Sequence, residues 1–158
     1  RLGMVKPFLD TYYNTVASHF DHETGTFWEH YFRLSPHKTH EESNFLMETR
    51  NMLWQEDGNT LYLFRVIPRA WMEDGKEIVL DSVRSYFGEL SVRMTSKYGK
   101  IEAEIDCPSE YRPGTVVIRM PHPDGLKAVT VSGGQYDAEK ETVEIRDFNG
   151  HSTVSLIF

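Results

Sequence analysis

The chain has 158 residues, 39% of them apolar and 26% charged, and a formal net charge of −7. That is the make-up of a soluble globular domain, or of one domain with an appendage. Its acidic balance, with no Lys/Arg run, lacks the basic footprint that displaces counter-ions, which excludes nucleic acid and a polybasic membrane anchor as partners. No apolar stretch approaches the ~20 residues a membrane-spanning helix needs, and Cys107 stands alone without a disulfide partner in the chain.

The first element is a helix. Met4, Val5, Phe8, Leu9, Tyr12, Tyr13, Val16 and Phe20 recur at spacings of three and four, so they form an apolar stripe on one face. Pro7 falls near its start, where a missing N–H costs least. Residues 21–40 read as a long loop holding Gly25 and Pro36, with Phe27, Trp28, Tyr31 and Phe32 arguing for order rather than disorder. A second helix is predicted from Thr39, with Thr39 and Glu42 spaced as a capping box and Phe45, Leu46, Thr49, Met52 and Leu53 as its apolar face. Asp57-Gly58-Asn59 is predicted to end it.

From residue 60 the period changes to two. Leu61, Leu63 and Arg65 alternate with Tyr62, Phe64 and Val66, a strand apolar on both faces and therefore central. Further strands are predicted at Leu90-Val92-Met94, Ile101-Ala103-Ile105, Val116-Val117-Ile118, Val129-Val131, Val143-Ile145 and Val154-Leu156-Phe158. Between them lie turn signals such as Asp74-Gly75, Tyr98-Gly99, Pro113-Gly114 and Asn149-Gly150, with Gly133-Gly134 read as a hairpin turn. Short strands broken by turns every 8–12 residues or so predict an antiparallel β-sandwich, preceded by two helices. The domain division is drawn at 1–57 and 58–158. Two lone helices cannot bury both faces, so a missing neighbour is expected to cover them, leaving Phe8, Tyr12 and Val16 as an exposed patch through which the isolated chain self-associates. An opening on Arg1 rather than Met adds the expectation of a processed or truncated piece.

The chemistry concentrates at Thr26-Phe27-Trp28-Glu29-His30. Aromatic neighbours around Glu29 would desolvate its carboxylate and fit it for acid/base work, and Trp28 would stack on a sugar face. The plainer alternative is a solvated loop carboxylate among packing rings. Five of the seven histidines (His19, His22, His30, His37 and His40) fall in this region, but pairs spaced by three without cysteine make a poor zinc pattern, and no metal or cofactor is expected. Cys107 lacks a local His and reads as a small buried hydrophobe. Glu102, Glu104 and Asp106 alternate along one strand as on a solvated sheet face.

The order of helix, Thr26-Phe27-Trp28-Glu29, His-containing loop, helix ending in Leu53-Trp54 and then sandwich resembles the C-terminal part of bacterial α-L-rhamnosidases and related toroidal glycoside hydrolases. The segments Thr60–Trp71 and Tyr86-Phe87-Gly88-Glu89-Leu90 are similar to the family's first sandwich strand and to a recurrent element before the next. The resemblance implies that residues 1–57 close an (α/α)6 catalytic toroid whose remainder lies upstream in the same polypeptide. It further implies that Glu29 is the general base of an inverting hydrolysis, with Trp28 and His40 in the substrate pocket. Thr39-His40 stands where the family commonly has Asn-His or Ser-His, so the sugar is left open. On this reading the isolated chain is inactive, its partners being the carbohydrate substrate and the toroid, and its compartment is undetermined. The rival expectation is a stand-alone carbohydrate-binding sandwich presenting Tyr62, Trp71 or Tyr111.

Overall fold

The computed structural model describes residues 3–29, 35 and 37–158. His30, Tyr31, Phe32 and Pro36, named above, lie outside the described residues. The fold is mainly β, with two helices leading into a sandwich of two five-stranded sheets.

Helix α1 spans Val5–His19. Pro7 sits in its first turn, where backbone N–H groups have no intrahelical acceptor and none is lost. A short hairpin follows, β1 (Phe20–Asp21) and β2 (Thr26–Phe27). Helix α2 spans Thr39–Leu53. The expected capping box does not form: Thr39 is already helical, the cap residue is Lys38, and it makes no side-chain cap bond. Instead the Glu42 N–H donates to the Lys38 carbonyl at 3.1 Å, while Glu41 and Glu42 place negative charge at the helix's positive end.

The helix also ends earlier than predicted. After Leu53 the chain runs straight into β3 (Trp54–Asp57), which pairs with β4 (Thr60–Leu63). Asp57-Gly58-Asn59 is therefore a hairpin turn, with Gly58 at φ +57 supplying the left-handed geometry such turns demand. The division at 57/58 falls within this hairpin. Strand β4 stops at Leu63 rather than continuing to Arg65, because Phe64 turns left-handed (φ +54) and drops fully into the core.

The remaining strands are β5 (Glu77–Ser85), β6 (Gly88–Lys97), β7 (Lys100–Asp106), β8 (Thr115–Arg119), β9 (Thr130–Ser132), β10 (Gln135–Asp137), β11 (Thr142–Arg146) and β12 (His151–Ile157). One sheet runs β10-β11-β8-β4-β3, the other β5-β6-β7-β12-β9. Every pairing is antiparallel except β4 with β8, which is parallel (Thr60↔Thr115). The chain leaves β4, builds β5 to β7 in the opposite sheet, and returns beside it. Leu90, Met94, Ala103, Ile105, Ile118 and Val154, all fully buried, fill the space between the sheets.

Gly133-Gly134 is not a hairpin turn. It joins β9 in one sheet to β10 in the other. Gly133 (φ +86) leaves no room for a Cβ against the β12 backbone at Thr153 and Val154, and Gly134 is equally tight against Val143 and Glu144 of β11. Only glycines let this corner lie so close to both sheets.

The helices are not left bare. Tyr12 and Met52 belong to the same buried cluster as the sandwich core, with Val5, Phe8, Val16 and Phe45 packed against it. Tyr12 is 8% exposed, stacked between Phe8 (5.9 Å) and Phe45 (5.7 Å), and its hydroxyl donates to Thr49 Oγ1 at 2.8 Å. The predicted open patch of Phe8, Tyr12 and Val16 is thus covered, because α2 and the sandwich lie over that stripe. The exposed apolar side chains of the helices are others: Leu46 (66%), Met47 (54%) and Tyr13 (44%).

Candidate functional site

Glu29 follows the β1–β2 hairpin directly. Phe27, 4% exposed, plugs the hairpin into the helix pair by packing against Phe20 (5.4 Å) and Phe45 (5.0 Å). Three backbone bonds then set the segment: Trp28 N–H to the His19 carbonyl (2.8 Å), Glu29 N–H to the Ser35 carbonyl (3.0 Å) and Lys38 N–H to the Phe27 carbonyl (3.2 Å). The Glu29 carboxylate faces the Lys38 ammonium at 2.9 Å, both side chains about 30% exposed. It is a partly covered ion pair at the junction of hairpin and α2, reachable from solvent.

Trp28 is half-buried, and its indole N–H is enclosed without a hydrogen-bond acceptor among the described residues. A buried donor left unpaired costs about 1–3 kcal/mol. His40 is bound elsewhere: on the first turn of α2, 65% exposed, its Nε2 lies 2.8 Å from Glu41 Oε1. The other Glu41 oxygen is buried and has no hydrogen-bond partner among the described residues. The structure therefore joins Phe27 and Glu29 to the start of α2 through Lys38, which nothing in the local sequence singles out, and turns His40 toward Glu41.

Two of the region's other histidines make local contacts. His19 Nδ1 lies 2.7 Å from Ser18 Oγ, and His22 sets its ring edge-on to Phe20 at 5.0 Å. Of the rival's rings, Tyr62 carries the Arg65 guanidinium 4.3 Å from its centre and Trp71 is half-buried against the core, while Tyr111 is 80% exposed.

No family model, curated protein or solved structure matches the chain.

Three features outside the hairpin are invisible to sequence reasoning because their members are distant along the chain. Arg119 of β8 is 4% exposed and Glu141 5%. Their side chains meet at 3.0 Å, Arg69 Nη1 adds a second contact to Glu141 at 2.6 Å, and Arg119 Nη1 also donates to the Ile67 carbonyl at 3.0 Å. Burial pulls the Arg119 pKa below its ordinary value, and Glu141 opposes that shift. This triad floors a groove of about 920 Å³ between the start of α1 and the sandwich. A smaller groove of about 370 Å³ crosses the outer face of β4, β8, β11 and β10, lined by Tyr62, Gln135, Tyr136 and Glu144 among others. On the opposite sheet Glu104, Asp106 and His151 bring their donor atoms within 4.8 Å of one another. His151 Nδ1 lies 2.7 Å from Asp106 Oδ1, and that hydrogen bond raises the imidazole's pKa.

Proposed function

We propose that this chain is the closing part of a toroidal glycoside hydrolase of the α-L-rhamnosidase kind, with the sandwich bracing the toroid and Glu29 as its general base. The observation that carries the reading is the fixed, half-open Glu29. Its main chain is anchored on both sides, its carboxylate is held beside an ammonium, and its neighbour in the chain is a tryptophan whose N–H meets no acceptor among the described residues. A base for water must be ionised, and Lys38 is a counter-ion for that charge. The apolar Leu46, Met47 and Tyr13 left in solvent on the helices give a neighbouring helical layer something to cover.

In the proposed reaction Glu29 takes a proton from water as the water oxygen bonds to the anomeric carbon. The bond from that carbon to the leaving oxygen breaks, and a carboxylic acid from the rest of the toroid protonates that oxygen. Inversion requires the two carboxyl groups to stand about 6.5–9.5 Å apart so that water fits between base and sugar. The test is Glu29→Gln in the complete polypeptide that carries this segment, assayed on aryl α-L-rhamnosides. The expected loss in kcat/KM is at least about a thousandfold with the fold intact. Activity within tenfold of the unmodified enzyme would remove Glu29 from the role.

The second reading, a non-catalytic sugar-binding sandwich, is favoured by Tyr111 and by the groove on the first sheet that Tyr62 lines. It requires retardation of the chain by soluble polysaccharide in native gels, abolished by Tyr111→Ala or Tyr62→Ala.

A further inference from the structure

Three potential metal ligands converge on the outer face of the second sheet, and their convergence is a product of strand register. Glu104 and Asp106 are two apart on β7, so both side chains leave the same face. Strand β12 runs antiparallel beside it with His151 opposite Asp106 and Thr153 opposite Glu104. That register sets His151 directly beside one carboxylate and diagonal to the other. The intervening residues Ala103 and Ile105 are fully buried, as is Val154 of β12, so the backbone carrying all three ligands is anchored in the core.

The charge around the cluster is unbalanced in a telling way. Arg93 on β6 lies in register with Glu104, at the position where a cross-strand ion pair is expected. Its guanidinium instead binds Glu77 on β5. Among the described residues no cation lies within ion-pair distance of Glu104, and Asp106 has only the imidazole. Asp81 and Arg93 line the same shallow depression with Glu104 and Asp106, the Arg93 guanidinium being engaged by Glu77. Two sheet-mounted carboxylates beside an imidazole thus lack a full positive partner.

We propose that Glu104, Asp106 and His151 form a binding site for a first-row divalent metal ion, with zinc as the representative. The donor set decides the class. An imidazole nitrogen with two carboxylate oxygens suits zinc and its transition-metal neighbours, whereas magnesium and calcium sites are built from oxygen alone. Ligand bonds of about 2.0–2.2 Å draw the three donors closer together than 4.8 Å. Rotation of the exposed Glu104 and His151 side chains supplies that closure, while the anchored backbone stays in place. The ion replaces the proton shared between His151 Nδ1 and Asp106 Oδ1, and water fills the coordination positions facing solvent. The proposal is independent of the role assigned to Glu29.

The test is isothermal titration of the full chain, first stripped with chelator, with zinc chloride and in parallel with magnesium chloride. One saturable zinc site is expected, weakened at least tenfold by His151→Ala and by Glu104→Gln, with no comparable magnesium binding. Circular dichroism on both variants verifies the fold, and Glu104→Gln, an isosteric change on an exposed side chain, keeps the test valid if His151→Ala is unstable. Zinc affinity unchanged in Glu104→Gln would overturn the proposal, since binding would then sit at the histidines near the helices. Absence of saturable zinc binding to the unmodified chain would overturn it as well.

Discussion

The buried triad of Arg69, Glu141 and Arg119 yields an ordered pair of mutational effects. Glu141→Gln keeps the side chain's shape but removes the only carboxylate of the triad, leaving Arg119, 4% exposed, without a counter-ion. Breaking a buried pair from one side costs about 3–5 kcal/mol, because the remaining charge stays desolvated. Arg119→Met is milder. Glu141 keeps Arg69 at 2.6 Å, the methionine refills the space, and the main loss is the donor to the Ile67 carbonyl. An acceptor orphaned in this way costs about 1–3 kcal/mol. Against a total stability of about 5–15 kcal/mol, the first change should bring the chain close to unfolding and the second should not. Urea unfolding followed by far-UV circular dichroism reads both, the midpoint shift being converted with the slope measured for each variant. A Glu141→Gln cost below about 1 kcal/mol, or one smaller than that of Arg119→Met, would refute the reasoning that the uncompensated Arg119 charge outweighs a lost hydrogen bond.

Two further outcomes follow from local geometry. Gly133→Ala combines a left-handed backbone with a Cβ driven into the Thr153 carbonyl; the strain and overpacking together should cost about 2–5 kcal/mol in urea unfolding, and a loss under about 1 kcal/mol would show that the sheet-crossing corner yields easily. Asp137 accepts from Lys140 and from two backbone N–H groups, which hold its pKa below the ordinary 3.8. A depressed carboxylate stabilises the fold above its unfolded pKa and loses that contribution as pH falls through the lower folded value. The stability difference between the unmodified chain and Asp137→Asn should therefore be constant from pH 7 to about 5 and shrink below about pH 4; a difference that grows on acidification would contradict the assignment.

Period was the legible signal in this sequence. The two-residue alternation found β6, β7, β8, β11 and β12 because each presents one face to the core and packs a β-branched or apolar residue at every second position. It missed β5, an edge strand mostly exposed and broken by a register shift between Leu80 and Val83, where alternation is lost. It also missed β3, since Trp54-Gln55-Glu56-Asp57 continues the polar composition of α2 and nothing local marks the change from helix to strand. Glycines announce turns without revealing what they connect. Gly58 joins two strands of one sheet and Gly133 joins two sheets, a distinction that depends on contacts more than ten residues away. The candidate site was legible only along the chain. Trp28 and Glu29 are adjacent in sequence, but the cation that meets Glu29 is Lys38 at the cap of α2, and His40, close to both in sequence, has Glu41 as its carboxylate partner.

The same dependence on register explains why the helices and the sandwich are a single packing problem. Leu53 ends α2 and Trp54 begins β3 without an intervening residue, so the direction of the helix is fixed by a strand at the edge of a sheet. Phe64 donates its N–H to the Leu53 carbonyl at 2.8 Å, which ties the end of the helix to the end of β4. Met52, fully buried, enters the core from the last turn of α2, and Tyr12 enters from the middle of α1. The position of Glu29 is inherited along this chain of contacts: from the sheet to α2, from Phe45 of α2 to Phe27 of the hairpin, and from Phe27 to the adjoining Trp28 and Glu29. The base proposed at Glu29 would thus be supported by the β layer through these contacts as well as by its own loop, which is the physical sense in which a sandwich can serve a site it does not contain.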